Sequence, residues 1–240
     1  MNQILWGNAN RWEISMALQD RLNAFKSEFE SGRPPYNVSR DRIDLMHRAT
    51  RELVASGQVQ RAKKAGDVAP EFTLTDPDGK PVSSRELLAC GPLVVSFYRG
   101  VWCPYCNFEL QALQEALPEI TARGASLVAI SPQTAPNSRK SQRDNKLAFP
   151  ILSDVKSEVA NAFGLRFALP DYLVALYKQF KNDLPVFNDD PAWVLPMPAR
   201  YVIGTDGVIA YAEVNPDYTQ RPDPSELLPV LDRLRASKAA

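Results

Sequence analysis

The run Leu93-Val94-Val95-Ser96-Phe97-Tyr98 is apolar enough for a buried strand and too short for a helix. A turn, Arg99-Gly100-Val101-Trp102, separates it from Cys103-Pro104-Tyr105-Cys106. Beyond the second cysteine, Phe108, Leu110, Leu113 and Leu117 recur at helical spacing. Gly124 ends that segment, and Ser126-Leu127-Val128-Ala129-Ile130 is a second buried strand. Strand, helix and strand in this order form a βαβ unit, whose strands run parallel. A chain built around such a unit folds as an α/β protein.

The two cysteines lie where the first strand ends and the helix begins. The first turn of a helix leaves backbone N–H groups unpaired, and the helix dipole adds partial positive charge, so a thiolate is favoured there over a thiol. Pro104 suits the first helical position. Two intervening residues let the sulfurs meet across one turn, so the pair can cycle between dithiol and disulfide. A zinc site needs two more ligands than Cys103 and Cys106 supply. Cys90 and His47, the remaining candidates, do not form a ligand pair. With no glycine-rich phosphate loop either, neither a metal nor a cofactor is expected. Position favours Cys103 as the attacking sulfur. It is nearer the helix start and expected to be the more exposed, whereas Cys106 has Glu109 three residues on, whose charge opposes ionisation.

Trp102-Cys103-Pro104-Tyr105-Cys106 after a βα turn resembles the active site of the thioredoxin superfamily, and Cys-Pro-Tyr-Cys resembles that of glutaredoxins. The wider context is similar to the peroxiredoxins, in particular the alkyl-hydroperoxide-reductase/thiol-specific-antioxidant group. Gly66-Asp67-Val68-Ala69-Pro70-Glu71-Phe72 looks like that family's entry sequence, and Leu152-Ser153-Asp154 through Leu165 like a matching inner segment. The resemblance implies a thioredoxin-like mixed sheet flanked by helices. It also implies an antioxidant thiol peroxidase that reduces hydrogen peroxide or organic hydroperoxides. A Cys103/Cys106 cycle would then be recharged by a thioredoxin- or glutaredoxin-type donor. Disulfide oxidoreductase and non-enzymatic redox sensor are the alternative functions. The two family patterns disagree on the attacking sulfur: the thioredoxin pattern selects Cys103, whereas a peroxiredoxin alignment puts Cys106 at the peroxidatic position and Cys103 where threonine is usual. That alignment also sets Arg99 in place of a proline and Pro198 in place of the active-site arginine. Arg99 and Arg200 are therefore the candidate replacements, and Trp102 the shield on one side of the thiolate. The resemblance also implies a cis Met197–Pro198 bond beside the cysteines.

At 240 residues the chain suits one large domain with an extension. Residues 1–65 read as a helical extension and 66–240 as the thioredoxin-like domain. One apolar stripe runs Ile14, Leu18, Leu22, Phe25, Phe29 and a second Ile43, Met46, Leu53, with Gln58 to Lys64 as a short linker. His47 reads as a surface or packing residue, and Cys90 as a buried small hydrophobe. Asp76-Pro77-Asp78-Gly79 marks a hairpin turn. Residues 166–197 read as an insertion over the active-site face. Strands Met197–Ile203 and Val208–Ala212 form a second hairpin, and Ser225 to Arg235 a closing helix. Basic and acidic residues balance at 28 each, so no field attracts nucleic acid or an anionic membrane. No apolar run approaches a membrane span. Met1 to Gly7 lacks the basic start and apolar centre of a signal peptide, so a cytoplasmic location is expected. The apolar faces of the extension need a partner, either the redox domain or the second subunit of a homodimer.

Overall fold

The computed structural model describes residues 17–239; Ile14, the first residue of the N-terminal stripe, lies outside them. Two helices open the described chain, α1 (Leu18–Glu30) and α2 (Arg40–Ala55). Where a linker was expected, Gln58–Arg61 forms a one-turn helix, α3. Gly164 comes so close to this turn that a Cβ there would lie 2.3 Å from the Arg61 carbonyl oxygen, and its φ of +75° favours glycine besides.

Strands β1 (Thr73–Thr75) and β2 (Pro81–Ser83) form the expected antiparallel hairpin, followed by helix α4 (Ser84–Cys90). Cys90 is exposed at the end of α4, so its assignment as a buried hydrophobe is corrected. The βαβ unit follows as β3 (Leu93–Phe97), α5 (Pro104–Ala122) and β4 (Ser126–Ser131), with β3 and β4 parallel. Next come α6 (Ala135–Asp144), β5 (Ile151–Ser153) and α7 (Glu158–Ala162).

Residues 166–197 are more regular than their composition implied. Strands β6 (Arg166–Ala168) and β7 (Val194–Pro196) pair antiparallel in a small second sheet, with α8 (Asp171–Gln179) and α9 (Leu184–Asn188) between them. The hairpin β8 (Ala199–Ile203) and β9 (Ile209–Val214) and the helix α10 (Leu227–Ala239) complete the chain. The main sheet has seven strands in the order β2-β1-β5-β4-β3-β8-β9, with β3 held between parallel β4 and antiparallel β8. This is the mixed sheet flanked by helices that the sequence implied. The Met197–Pro198 bond is trans, which corrects the expected cis bond; among the described residues the cis bond is Pro34–Pro35.

The period-two alternation of a strand divides the core between the two faces of the sheet. Val94, Leu127, Ala129, Ile151 and Val202 face one layer, with Leu110, Leu113 and Ile120 of α5, Leu231 of α10 and Leu18, Leu22 and Phe25 of α1. Leu93, Val95, Phe97, Val128, Ile130 and Tyr201 face the other, with Phe72, Phe163 and Leu165. All five residues of β3 are buried, as a strand packed on both faces requires. Both extension helices are packed. Helix α1 lies against α5, and α2 lays Ile43 and Met46 on Leu169, Leu173 and Leu176 of the 166–197 segment. A third apolar cluster thus joins the extension to the insertion, directly over the cysteine turn.

Candidate active site

Strand β3 delivers the chain into the turn at Arg99, and α5 begins five residues later with Cys103 as its N-cap and Pro104 at its first position. Gly100 has a φ of +148°, and a Cβ there would lie 2.6 Å from the Trp102 indole nitrogen, so a residue with a side chain cannot fill this turn without moving the indole. The turn is held by polar side chains of α5, of α1 and of the residues that flank α6. Val101 donates its N–H to Gln133 Oε1 at 2.8 Å, and its carbonyl accepts from Asn107 Nδ2 at 2.9 Å. Asn145 donates to Asn107, Gln111 to Asn145, and Arg21 of α1 to Gln111, so the extension reaches the cysteine turn through hydrogen bonds. Gln133 also donates to the Tyr98 hydroxyl at 2.6 Å.

The two sulfurs are 3.0 Å apart, with Cys106 donating to Cys103. Cys103 is 1% exposed and Cys106 0%. The expected difference in exposure is therefore absent, and the two thiols differ by their neighbours. Burial pushes the Cys103 thiol up, but three influences outweigh it: the hydrogen bond from Cys106, the Arg99 charge and the Cys106 backbone N–H. With help from Arg221 they bring it down to about 6. Cys106 is pushed well above the ordinary thiol value, first by burial and then by donating to Cys103 and by the Cys103 charge. Glu109, the cause inferred from spacing, is engaged elsewhere. Its carboxylate lies 2.9 Å from Arg200 Nη2 and 2.5 Å from Arg221 Nε, and all three side chains are buried.

Arg99 and Arg200 thus have different surroundings. Arg99 lies among aromatic rings, its guanidinium carbon 4.1 Å from the Tyr218 ring centre and 4.9 Å from that of Trp102, and it donates to the Tyr177 hydroxyl. Burial works against its charge, yet Tyr177 and the cysteine sulfurs hold its pKa above the ordinary value. Arg200 is fully buried and tied to Glu109. Trp102 is half-buried, its ring 5.4 Å from Tyr177 in an edge-on contact. Pro198 lines a cleft together with Arg99, Tyr177 and Tyr218. His47 pairs with Glu30 at 2.7 Å in the extension, which agrees with a packing role.

Tyr177, Tyr218 and Arg221 were not found by sequence reasoning. Tyr177 belongs to the 166–197 segment, and the other two to the polar stretch after β9, in which no local pattern marks a site. Arg221 is nonetheless 5% exposed, bonded to Glu109, and charged beside both sulfurs. The assembly provides a low-pKa thiolate, a second thiol in contact with it, and buried cations to hold an anionic intermediate. These are the parts a dithiol needs to attack an O–O or S–S bond and then close on itself.

Comparison with known proteins agrees with this chemistry. Residues 65–212 match the AhpC/TSA family. A putative peroxiredoxin of Mycobacterium tuberculosis is 32% identical over 106 residues, which is 44% of this chain and 69% of the relative. The chloroplastic peroxiredoxin Q of Oryza sativa subsp. japonica is 30% identical over 115 residues, 48% of this chain and 51% of its own length. The crystal structure of peroxidoxin BcpB from Mycobacterium tuberculosis superimposes with a TM-score of 0.56 at 25% identity, covering 72% of this chain and 97% of that one. The family match spans the strands and helices that position Cys103 and Cys106, and on that ground the chain belongs to the AhpC/TSA family, the peroxiredoxins.

Proposed function

We propose that this peroxiredoxin reduces hydroperoxides with Cys103 as the attacking thiolate and Cys106 as the resolving thiol. Family membership favours a thiol peroxidase over a disulfide oxidoreductase or a passive redox sensor. The observation that carries the residue roles is the 3.0 Å approach of the sulfurs with Cys106 as donor. A thiol that donates its proton to its neighbour stays protonated while it stabilises that neighbour as thiolate.

The Cys103 thiolate attacks the terminal oxygen of the hydroperoxide. An S–O bond forms, the O–O bond breaks, and the departing alkoxide takes the Cys106 proton to leave as alcohol. Cys103 is now a sulfenic acid and Cys106 a thiolate. Cys106 attacks the Cys103 sulfur, forming the disulfide and expelling hydroxide, which is protonated to water. A thioredoxin- or glutaredoxin-type dithiol then reduces the disulfide by two exchange steps. Arg99 supplies the charge that favours the thiolate, Trp102 and Pro198 flank Arg99, and Arg200 and Arg221 hold Glu109 in a buried ion-pair cluster. Among the described residues no helix is long and apolar enough to cross a membrane. A cytoplasmic location and a homodimer complete the proposal, together with division of the chain at residue 65 into extension and catalytic domain.

The test is a pair of serine variants treated with peroxide and a sulfenic-acid probe. Cys106→Ser is expected to alkylate fast and accumulate sulfenic acid at Cys103, and Cys103→Ser to react slowly with both reagents. Sulfenic acid trapped at Cys106 in Cys103→Ser would reverse the assignment in favour of the peroxiredoxin alignment. A disulfide from either residue to Cys90 in the wild-type protein would overturn the pairing.

A further inference from the structure

Arg99 carries its charge into an interior that offers it little to hold. Its side chain is 4% exposed, and its Nε has no hydrogen-bond partner among the described residues. Among those residues no carboxylate pairs with it, and the Tyr177 hydroxyl is the acceptor that takes a hydrogen bond from its Nη2. The rings of Tyr218, Trp102 and Tyr177 have their centres 4.1, 4.9 and 5.9 Å from the guanidinium carbon. Ring faces attract a cation without fixing its orientation as a directed hydrogen bond does. Tyr177 is itself buried, and its ring meets Trp102 edge-on at 5.4 Å, so the phenol is held against the residue next to Cys103. It stands on α8, which the extension pins in place: Ile43 and Met46 of α2 pack with Leu173 and Leu176, the first of these one turn before Tyr177 on the same helix face.

We propose that Tyr177 is a positioning residue: its hydroxyl fixes the Arg99 guanidinium beside Cys103, so that α2 and α8 govern the reactivity of a thiolate that belongs to neither. The proposal rests on the peroxidase reading above, with Cys103 as the attacking sulfur. A buried guanidinium that loses its acceptor is drawn towards water. The cleft between α2 and α8, which Arg99 and Tyr177 both line, is the way out, and neither cysteine borders it. The groups that face Cys103 are Cys106 and Tyr105 of α5, Tyr177 of α8, Arg99 of the turn, and Tyr218 and Arg221 from the stretch after β9. Burial raises the pKa of all three tyrosines, so they are uncharged where Cys103 titrates. Tyr177 therefore acts on the thiol through Arg99 rather than through a charge of its own.

The pH midpoint of Cys103 alkylation, measured with iodoacetamide and mass spectrometry on the reduced full-length protein, tests this in wild type, Tyr177→Phe, Arg99→Met and the double variant. Tyr177→Phe keeps the ring and removes the acceptor. It is expected to raise the Cys103 midpoint by about 0.5 to 1, which is about a two- to fivefold loss of thiolate at pH 6 and none at pH 10. The rate constant for oxidation by hydrogen peroxide is expected to fall in the same proportion. In the double variant the midpoint should stay where Arg99→Met alone puts it, because a residue that acts through Arg99 then has nothing left to position. Tyr172→Phe, which removes a hydroxyl bound to Glu52 elsewhere on α8, should titrate as the wild type. A Tyr177→Phe midpoint that is unchanged or lowered would overturn the proposal, as would an equal rise with and without Arg99. Should Tyr177→Phe not fold, Tyr177→Gln and Tyr177→Leu replace it, similar in size and differing in the acceptor; a leucine midpoint no higher than the glutamine one would overturn the proposal. Alkylation of Cys106 ahead of Cys103 in the wild type, or a wild type that hydrogen peroxide does not oxidise, would overturn the peroxidase reading instead.

Discussion

Replacing Arg99 with methionine removes the charge beside Cys103 while leaving an apolar chain against Trp102, Tyr177 and Tyr218. An opposite charge within about 4–6 Å lowers an acid's pKa by about 1–3. Because the Arg99 influence on Cys103 ranks behind the hydrogen bond from Cys106, the lower part of that range applies. Loss of the cation is then expected to move Cys103 from about 6 to roughly 7–8. At pH 7 the thiolate fraction falls from about nine-tenths to between about one-half and one-tenth, a two- to tenfold loss of reactivity. At pH 10 the variant and the wild type should react alike, since both are fully ionised. Iodoacetamide alkylation of Cys103, followed by mass spectrometry from pH 4 to pH 10, gives the midpoint directly. A midpoint unchanged in Arg99→Met would refute the electrostatic argument and leave Cys106 as the source of the acidity.

Leu22 of α1 is fully buried in the layer over α5, so Leu22→Ala is expected to cost about 2–5 kcal/mol, read as a lower urea midpoint. Glu109→Gln leaves Arg200 and Arg221 buried without their counter-charge and is expected to destabilise by about 3–5 kcal/mol, whereas an unchanged melting temperature would show that the buried ion pairs contribute nothing net. A thiol with a depressed pKa adds stability above its unfolded value and loses it as pH falls through its folded value. The reduced protein should therefore gain up to about 3 kcal/mol between about pH 6 and pH 8.5, and the raised pKa of Cys106 should reverse the trend above that. Urea unfolding of the reduced form at pH 5.5 and 8 would measure this slope, which Cys103→Ser should remove.

Local sequence determined the central unit. The run Leu93–Tyr98, the cysteine turn and the strand at Ser126 specify a parallel βαβ with the sulfurs at a helix start, because periodicity and helix ends are set by near neighbours in the chain. The apolar stripes of α1 and α2 likewise showed that the extension must pack, without showing on what. Tertiary structure alone decided the electrical character of the pair. Spacing set Glu109 against Cys106, but two arginines distant in sequence, Arg200 and Arg221, hold that carboxylate. Exposure was expected to distinguish the thiols, yet both are buried in the apolar layer that α1 forms with α5 and the sheet. The Met197–Pro198 bond is trans, and the Arg99 surroundings combine Tyr177 and Tyr218 from separate segments. Charge and burial act through space, and residues about 40 to 120 positions apart are brought together by packing rather than by any pattern in the chain.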